Sequence, residues 1–299
     1  MIPTDSLTAQ LKRLRLSGIL DSLEVRNRQA ASEQWSYVEF LDRLLADEVE
    51  RRAAKQLALR LRRGQVDTTK SLETFDFAFN PTVNRRLLHD LATCAFVRAQ
   101  RNVLIVGQTG VGKTHIAQAL SHEAARRGFD VLFTSAHRML LSLQAARAEG
   151  SYERRLAAFL RPDLLVLDDV GLRPLPPHGG DDLYDVIDGR YERRSIVVTS
   201  NREPAEWHDM FASPLLANAT LDRLLDRAEI VTITGRSYRL AGRAPAPAAA
   251  LGAAAATSSL ADRAPSRPQH KKEPPASPSA ETTPTDDAPS DGSGRSDTA

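Results

Sequence analysis

The stretch Gly107–Thr114, GQTGVGKT, constrains this chain more than any other part of it. It is a complete G-x-x-x-x-G-K-[ST] phosphate loop. It sits between an apolar run, NVLIVG (102–107), and a helix-patterned segment, HIAQALSHEAARR (115–127). Glycines let the backbone curl so that successive N–H groups converge on phosphate oxygens, and the following helix presents its N-terminus to the anion. Gly107, Gln108, Thr109, Gly110, Val111, Gly112, Lys113 and Thr114 are therefore the expected nucleotide cradle, with Lys113 adding charge and Thr114 a hydroxyl for Mg²⁺. Four more β-type runs follow: VLFTS (131–135), LLVLDD (164–169), SIVVTSN (195–201) and EIVTI (229–233). Continuous apolar strands alternating with helical stretches predict an α/β fold whose parallel sheet is covered on both faces.

Two of these runs end in acids or an amide, and strand ends at the sheet's carboxyl edge are where ligands bind in such folds. LLVLDD places Asp168 to hold Mg²⁺ and Asp169 to orient and deprotonate an attacking water. SIVVTSN ends in Thr199, Ser200 and Asn201, and the Asn201 amide is the candidate to hold that water or touch the γ-phosphate. LDRLLDR (221–227) sets Arg223 and Arg227 at i, i+4 on an expected helix. Arg223 is the candidate for a charge supplied to a neighbouring subunit's nucleotide, with salt bridges to Asp222 and Asp226 as the alternative; Arg227 reads as structural. In GRSYR (235–239), Arg236 and Arg239 can face the nucleotide, and Arg239 is taken as the contact.

The flanks differ in character. Residues 1–72 read as a helical domain for DNA or partner binding, and 73–243 as the nucleotide-binding domain. Leu7, Leu11 and Leu14 fall at helical spacing, and Gly18 is expected to break the first helix. SYVE (36–39) reads as a capping box, followed by an apolar stripe of Phe40, Leu41, Leu44, Leu45 and Val49, with Gly64 as the stop. Between 51 and 66 lie six basic residues and no acid. Arg51, Lys55 and Arg62 share one face of a helix, separate from Leu57 and Leu61, and are the candidate DNA-phosphate contacts; a plain solvated face is the alternative. Residues 244–299 hold 15 Ala, 9 Pro, 8 Ser and 5 Thr and no aromatic residue, a composition expected to stay disordered. A single cysteine, Cys94, excludes a disulfide scaffold and a Cys-ligated zinc site within one chain. With no run of about 18 apolar residues and no secretory apolar core at the start, the expectation is a cytoplasmic protein.

Taken in order, GQTGVGKTHIAQAL, DLLVLDDVG, RYERRSIVVTSNR followed by Trp207, and LDRLLDR resemble the IstB-type helper ATPases of insertion sequences. These are AAA+ proteins similar to the DnaC helicase loaders and DnaA initiators. The N-terminal stretch LKRLRLSGILDSLEVRNRQA resembles the start of IstB-type chains, so the likeness spans about residues 5–242. It implies an AAA+ P-loop fold of sheet order 5-1-4-3-2 preceded by a small helical domain. It also implies ATP and Mg²⁺ as cofactors, homo-oligomeric assembly on duplex DNA, and stimulation of an IstA-like partner transposase; helicase loading of the DnaC type is the alternative. By position, Lys113 and Thr114 fall on phosphate and Mg²⁺, Asp168 and Asp169 form the acidic pair, Asn201 is the sensor and Arg223 the trans-acting finger. The broad AAA+ pattern has Glu where this chain has Asp169, one methylene shorter, and IstB-type proteins often share that Asp. A slow ATPase is the expectation.

Overall fold

A computed structural model describes residues 4–241. The disorder expected of residues 244–299 lies outside the described residues. Three helices come first: α1 (Thr4–Arg13), α2 (Ser17–Glu33) and the long α3 (Tyr37–Arg63). After a connecting segment and α4 (Arg85–Ala92) and α5 (Ala95–Arg98), strands and helices alternate. They are β1 (Val103–Gly107), α6 (Lys113–Arg126), β2 (Val131–Ser135), α7 (Ala136–Ala148), α8 (Tyr152–Leu160), β3 (Leu164–Val170), α9 (Gly179–Arg190), β4 (Ser195–Ser200), α10 (Pro214–Leu225) and β5 (Glu229–Ile233).

The five strands form one parallel sheet in the order β2-β3-β4-β1-β5, which is the expected 5-1-4-3-2 read from the other edge. Its central strands are apolar throughout because both faces are covered. One layer packs Ile105, Val166, Val197 and Val231 against Ile116 and Leu120 of α6. The other packs Leu104, Leu165, Leu167 and Val198 against Met139, Leu143, Leu183 and the fully buried Trp207. This order puts β1, which feeds the phosphate loop, between β4 and β5, and β3 beside β4. The carboxyl ends of β1, β3 and β4 are thus brought together.

The long α3 joins both parts. Its far end is anchored in the sheet's own core through Leu61, joined just past the helix by Val66, and the Gly64 carbonyl accepts from Phe133 N on β2 at 2.8 Å. Its near end packs on α2 through Leu44 and Phe40.

Three local expectations need correction. Gly18 does not break a helix: the break falls at residues 14–16, and Gly18 lies in the first turn of α2. A Cβ there would sit 2.7 Å from the Glu48 Cα, so glycine permits α2 and α3 to touch. Its N–H donates to the buried Glu48 carboxylate at 2.5 Å. Only half of the capping box forms: the Ser36 hydroxyl accepts from Glu39 N, while the Glu39 carboxylate lies 3.6 Å from Arg43. The apolar stripe is not all core either, since Leu41, Leu45 and Val49 are exposed and only Leu44 is buried. Among the described residues no helix is long and apolar enough to cross a membrane.

Candidate functional site

The phosphate loop curls as its glycines allow. Gly110 and Gly112 have φ of +88° and +104°, a region L side chains avoid. A Cβ on Gly112 would lie 2.7 Å from the ring of Phe75, so the loop also needs glycine there for a close approach. The loop borders a cavity of about 550 Å³ whose walls include Thr109 to Thr114, Asp169, Asn201 and Arg239.

Lys113 opens α6 and is almost wholly buried. Its ammonium donates to the carbonyls of Gly107 and Gln108, both at 2.8 Å, and to the Asn201 side-chain oxygen. Burial pulls the Lys113 pKa down, while Asp169 and Asp168 pull it back up. Its three acceptors are neutral, so the charge is positioned without being cancelled at contact distance.

Asp168 is the penultimate acid of β3 and is 7% exposed. Its Oδ1 accepts from Thr114 Oγ1 at 3.0 Å and from Thr199 Oγ1 at 2.6 Å. Burial raises its pKa and the Thr199 hydrogen bond opposes that rise, while Asp169 adds to it. Thr199 completes a second link: its oxygen accepts from Asp169 N at 2.9 Å. One threonine on β4 thereby fixes both acids of β3. The β3–β4 pairing slips between Leu167 and Val170, and Asp169 adopts φ of 57°, a left-handed value that costs a non-glycine residue on the order of 1 kcal/mol or more. That kink accompanies the placement of Asp169 on the cavity wall rather than in the strand ladder.

Arg223 is not brought to this cavity. It sits on α10 with Nε 2.7 Å from Asp188 Oδ1 and its guanidinium 5.1 Å from the Tyr184 ring centroid, both on α9. The acids named as its alternative partners, Asp222 and Asp226, are not the ones it meets. α10 ends at Leu225, so Arg227 lies beyond the helix and does not share a helical face with Arg223. Arg239 lines the cavity, and Arg236 does not. Of the α3 stripe, Arg51 is tied down by Asp21 and by the Ser17 carbonyl, whereas Lys55 and Arg62 have no ion-pair partner among the described residues.

Sequence reasoning missed the roof of the cavity. Phe75, Phe79, Asn80, His115 and Tyr238 join its walls. Asn80 Nδ2 donates to the Val111 carbonyl at 2.8 Å, and Tyr238 N to the Gly110 carbonyl at 2.9 Å, so both flanks clasp the loop backbone. The Phe79 and Tyr238 rings meet edge-on at 5.0 Å. The available signal was FDFAFN (75–80), a run of alternating aromatics inside an otherwise polar connection.

The cradle fits a nucleoside triphosphate with its cation. Two glycines hold conformations that leave no room for side chains, a buried ammonium sits at the loop, and a buried carboxylate is bonded to the loop's last hydroxyl.

Comparisons with known proteins return a family and several relatives. The family model described as IstB-like ATP binding protein matches residues 9–246. A chain named as an insertion-sequence ATP-binding protein of Mycobacterium tuberculosis is 39% identical, with 78% of this chain and 94% of that one aligned. The corresponding protein of insertion sequence IS21 in Pseudomonas aeruginosa is 37% identical over 78% of this chain and 88% of its own. Among solved structures, the DnaC helicase loader matches 56% of this chain and 97% of its own, at 22% identity and a TM-score of 0.49. Matched along nearly its whole described length, this chain belongs to the IstB-like ATP-binding proteins of insertion sequences.

Proposed function

We propose that the chain is a Mg²⁺-dependent ATPase of the cytoplasm that assembles as a homo-oligomer on duplex DNA and stimulates a partner transposase. The observation that carries the ATPase reading is the linked set Lys113–Asn201 and Thr114–Asp168–Thr199 at one sheet edge. The insertion-sequence origin of the relatives favours transposition over helicase loading.

Thr114 and Asp168 would hold Mg²⁺, which supplies charge neutralisation at the phosphates when bound. Lys113 shares its ammonium with the phosphate oxygens, and the loop N–H groups of residues 108–114 bind the rest of the chain of charges. Asp169, turned onto the cavity wall, orients water and takes its proton. Asn201 positions that water and couples its place to Lys113. Arg239 contacts the nucleotide beside Tyr238. Arg223, held away from its own cavity by Asp188, reaches a neighbour's nucleotide, so one subunit alone lacks a charge that assembly provides. Arg51, Lys55 and Arg62 contribute to DNA-phosphate contact, Lys55 and Arg62 more readily than the engaged Arg51.

The test is phosphate release by the full chain with Mg²⁺, alone, with duplex DNA, and with the transposase of the same insertion sequence. Turnover per subunit should rise with protein concentration and with duplex, and strand transfer by the transposase should rise with ATP. Hydrolysis indifferent to both additions, with unchanged strand transfer, would leave a nucleotide-binding protein without this helper role.

A further inference from the structure

A second cationic site lies along the outer edge of the sheet. β2 is the edge strand, and beside its residues Val131 to Thr134 runs a groove of about 470 Å³ between the end of α3, the start of α7 and the end of α8. Five guanidinium groups line it, from Arg60, Arg63, Arg138, Arg155 and Arg161, against a single carboxylate, Asp130. Among the described residues none of the five takes part in an ion pair. Four of them are exposed and Arg60 is half-buried.

Helix-end electrostatics accounts for part of this set. Arg60 and Arg63 fall in the last turn of α3 and Arg161 caps α8, positions where a cation offsets the helix dipole. Arg138 does not fit that account. It is the third residue of α7, where the dipole is positive and a cation is disfavoured. Arg155 stands in the first half of α8, likewise away from a helix end that wants it. Two charges placed against their local preference therefore face three others across one groove, a concentration of positive charge that an external anion would relieve.

We infer that this edge groove binds the sugar–phosphate backbone of nucleic acid. The inference rests on the DNA-assembly reading above and assigns it a surface. A forked guanidinium grips phosphate with two parallel hydrogen bonds, and several such forks spaced along a groove match a strand that repeats its charge. The groove shares no wall residue with the nucleotide cavity, so both can be filled together. It also places backbone contact beyond the Arg51–Lys55–Arg62 stripe, one of whose charges is already engaged by Asp21.

The experiment measures binding of a fluorescent 20-base-pair duplex to the full chain with ATP across a salt series. It compares the wild type with Arg63→Gln/Arg155→Gln/Arg161→Gln and with the stripe variant Arg51→Gln/Lys55→Gln/Arg62→Gln. All three groove positions are exposed, and an unchanged melting temperature and ATP affinity verify the fold. Each phosphate contact contributes roughly 0.9 to the slope of log affinity against log salt, so the groove variant should lose about 2 or more from that slope. At moderate salt its affinity should fall at least tenfold, about 1.4 kcal/mol. The charge-keeping variant Arg63→Lys/Arg155→Lys/Arg161→Lys should recover most of the slope. Wild-type binding with an unchanged groove variant overturns the groove while leaving DNA assembly intact, and includes the case of a groove that holds only free phosphate. Wild-type protein that binds no duplex overturns both readings. Loss with the glutamine set and no recovery with lysine would assign the effect to packing and overturn the phosphate assignment.

Discussion

The carboxyl edge of the sheet and the outer surfaces of the molecule both collect charge, in opposite ways. At the edge, Lys113 and Asp168 are each less than 8% exposed and every contact they make is with a neutral group of the chain itself. Away from the buried Glu48 between α2 and α3, the charges of that layer and of the β2 groove reach water in whole or in part: Arg26 with Asp47, Arg51 with Asp21, and five arginines that, among the described residues, have no ion-pair partner. A buried charge positioned by the backbone is strong because low polarity and fixed geometry leave nothing to reorganise. An exposed one is weak singly and acts by number. Mutational effects should therefore fall steeply from the inside of the molecule outwards.

The largest effect should come from Lys113→Ala. The loop carbonyls and Asn201 would lose their shared donor, and phosphate its charged one. Titration with a fluorescent ATP analogue should show no tight binding, and phosphate release should vanish. Retained affinity would mean that the backbone N–H groups suffice and that the inner charge is no stronger than an outer one.

Next in size is Arg223→Ala, the exception that sharpens the contrast. The residue is paired at the surface, 29% exposed, yet is proposed to act inside a neighbour's site. A trans-acting arginine is worth on the order of 10³–10⁵ in rate. The variant should keep ATP affinity and lose the rise of turnover with concentration and duplex. Mixed with Lys113→Ala protein it should regain some activity, since each supplies what the other lacks. Turnover independent of concentration, without rescue in the mixture, would return Arg223 to the ordinary surface class defined by its pairing with Asp188.

Asp169→Asn follows, with turnover lower by about 10²–10⁴ and ATP binding retained, because an amide cannot accept the proton. Since the Asp169 backbone N–H already bonds Thr199, the side chain is free to change without disturbing the kink. Parent-rate hydrolysis by this variant would remove Asp169 from the chemistry.

The same inside–outside division decides what the sequence makes legible. The cradle is a local object: eight consecutive residues between a strand and a helix, so its spacing alone predicts it, and β2 and β5 fall at Val131–Ser135 and Glu229–Ile233 as their apolar runs suggest. The acid pair and Asn201 were readable because each ends a continuous apolar run at the same edge of a parallel sheet. Gly18 misled because a glycine required for close helix approach and one that ends a helix look alike in sequence. The stripe after Ser36 misled because exposed Leu41, Leu45 and Val49 repeat at the same period as buried Leu44. The β2 groove was invisible for another reason. Its arginines come from residues 60 to 161 and meet only once the sheet order has set β2 on the edge beside the end of α3. Phe75 and Tyr238, more than 150 residues apart in sequence, share the nucleotide cavity's wall by the same kind of long-range closure.

The smallest effect should be at Asp47, in the α2–α3 layer, where Arg26 Nη2 lies 2.7 Å from Oδ1 and Nε donates to Oδ2 at 2.9 Å. The hydrogen bonds from Arg26 above all hold the Asp47 carboxyl at about 2, below its ordinary value of 3.8. A carboxylate with a depressed folded-state pKa binds fewer protons folded than unfolded, so its contribution is complete above the unfolded value. It is lost as pH falls from about 4 through about 2. Asp47→Asn should thus lower the melting temperature modestly at pH 7. The gap between variant and wild type should narrow as pH falls through that window and close below it. Because the pair touches the surface, added salt should shrink the gap as well. A gap at pH 2 as large as at pH 7 would show that Asp47 holds α2 to α3 through packing rather than charge, and would place this outer pair with the inner ones.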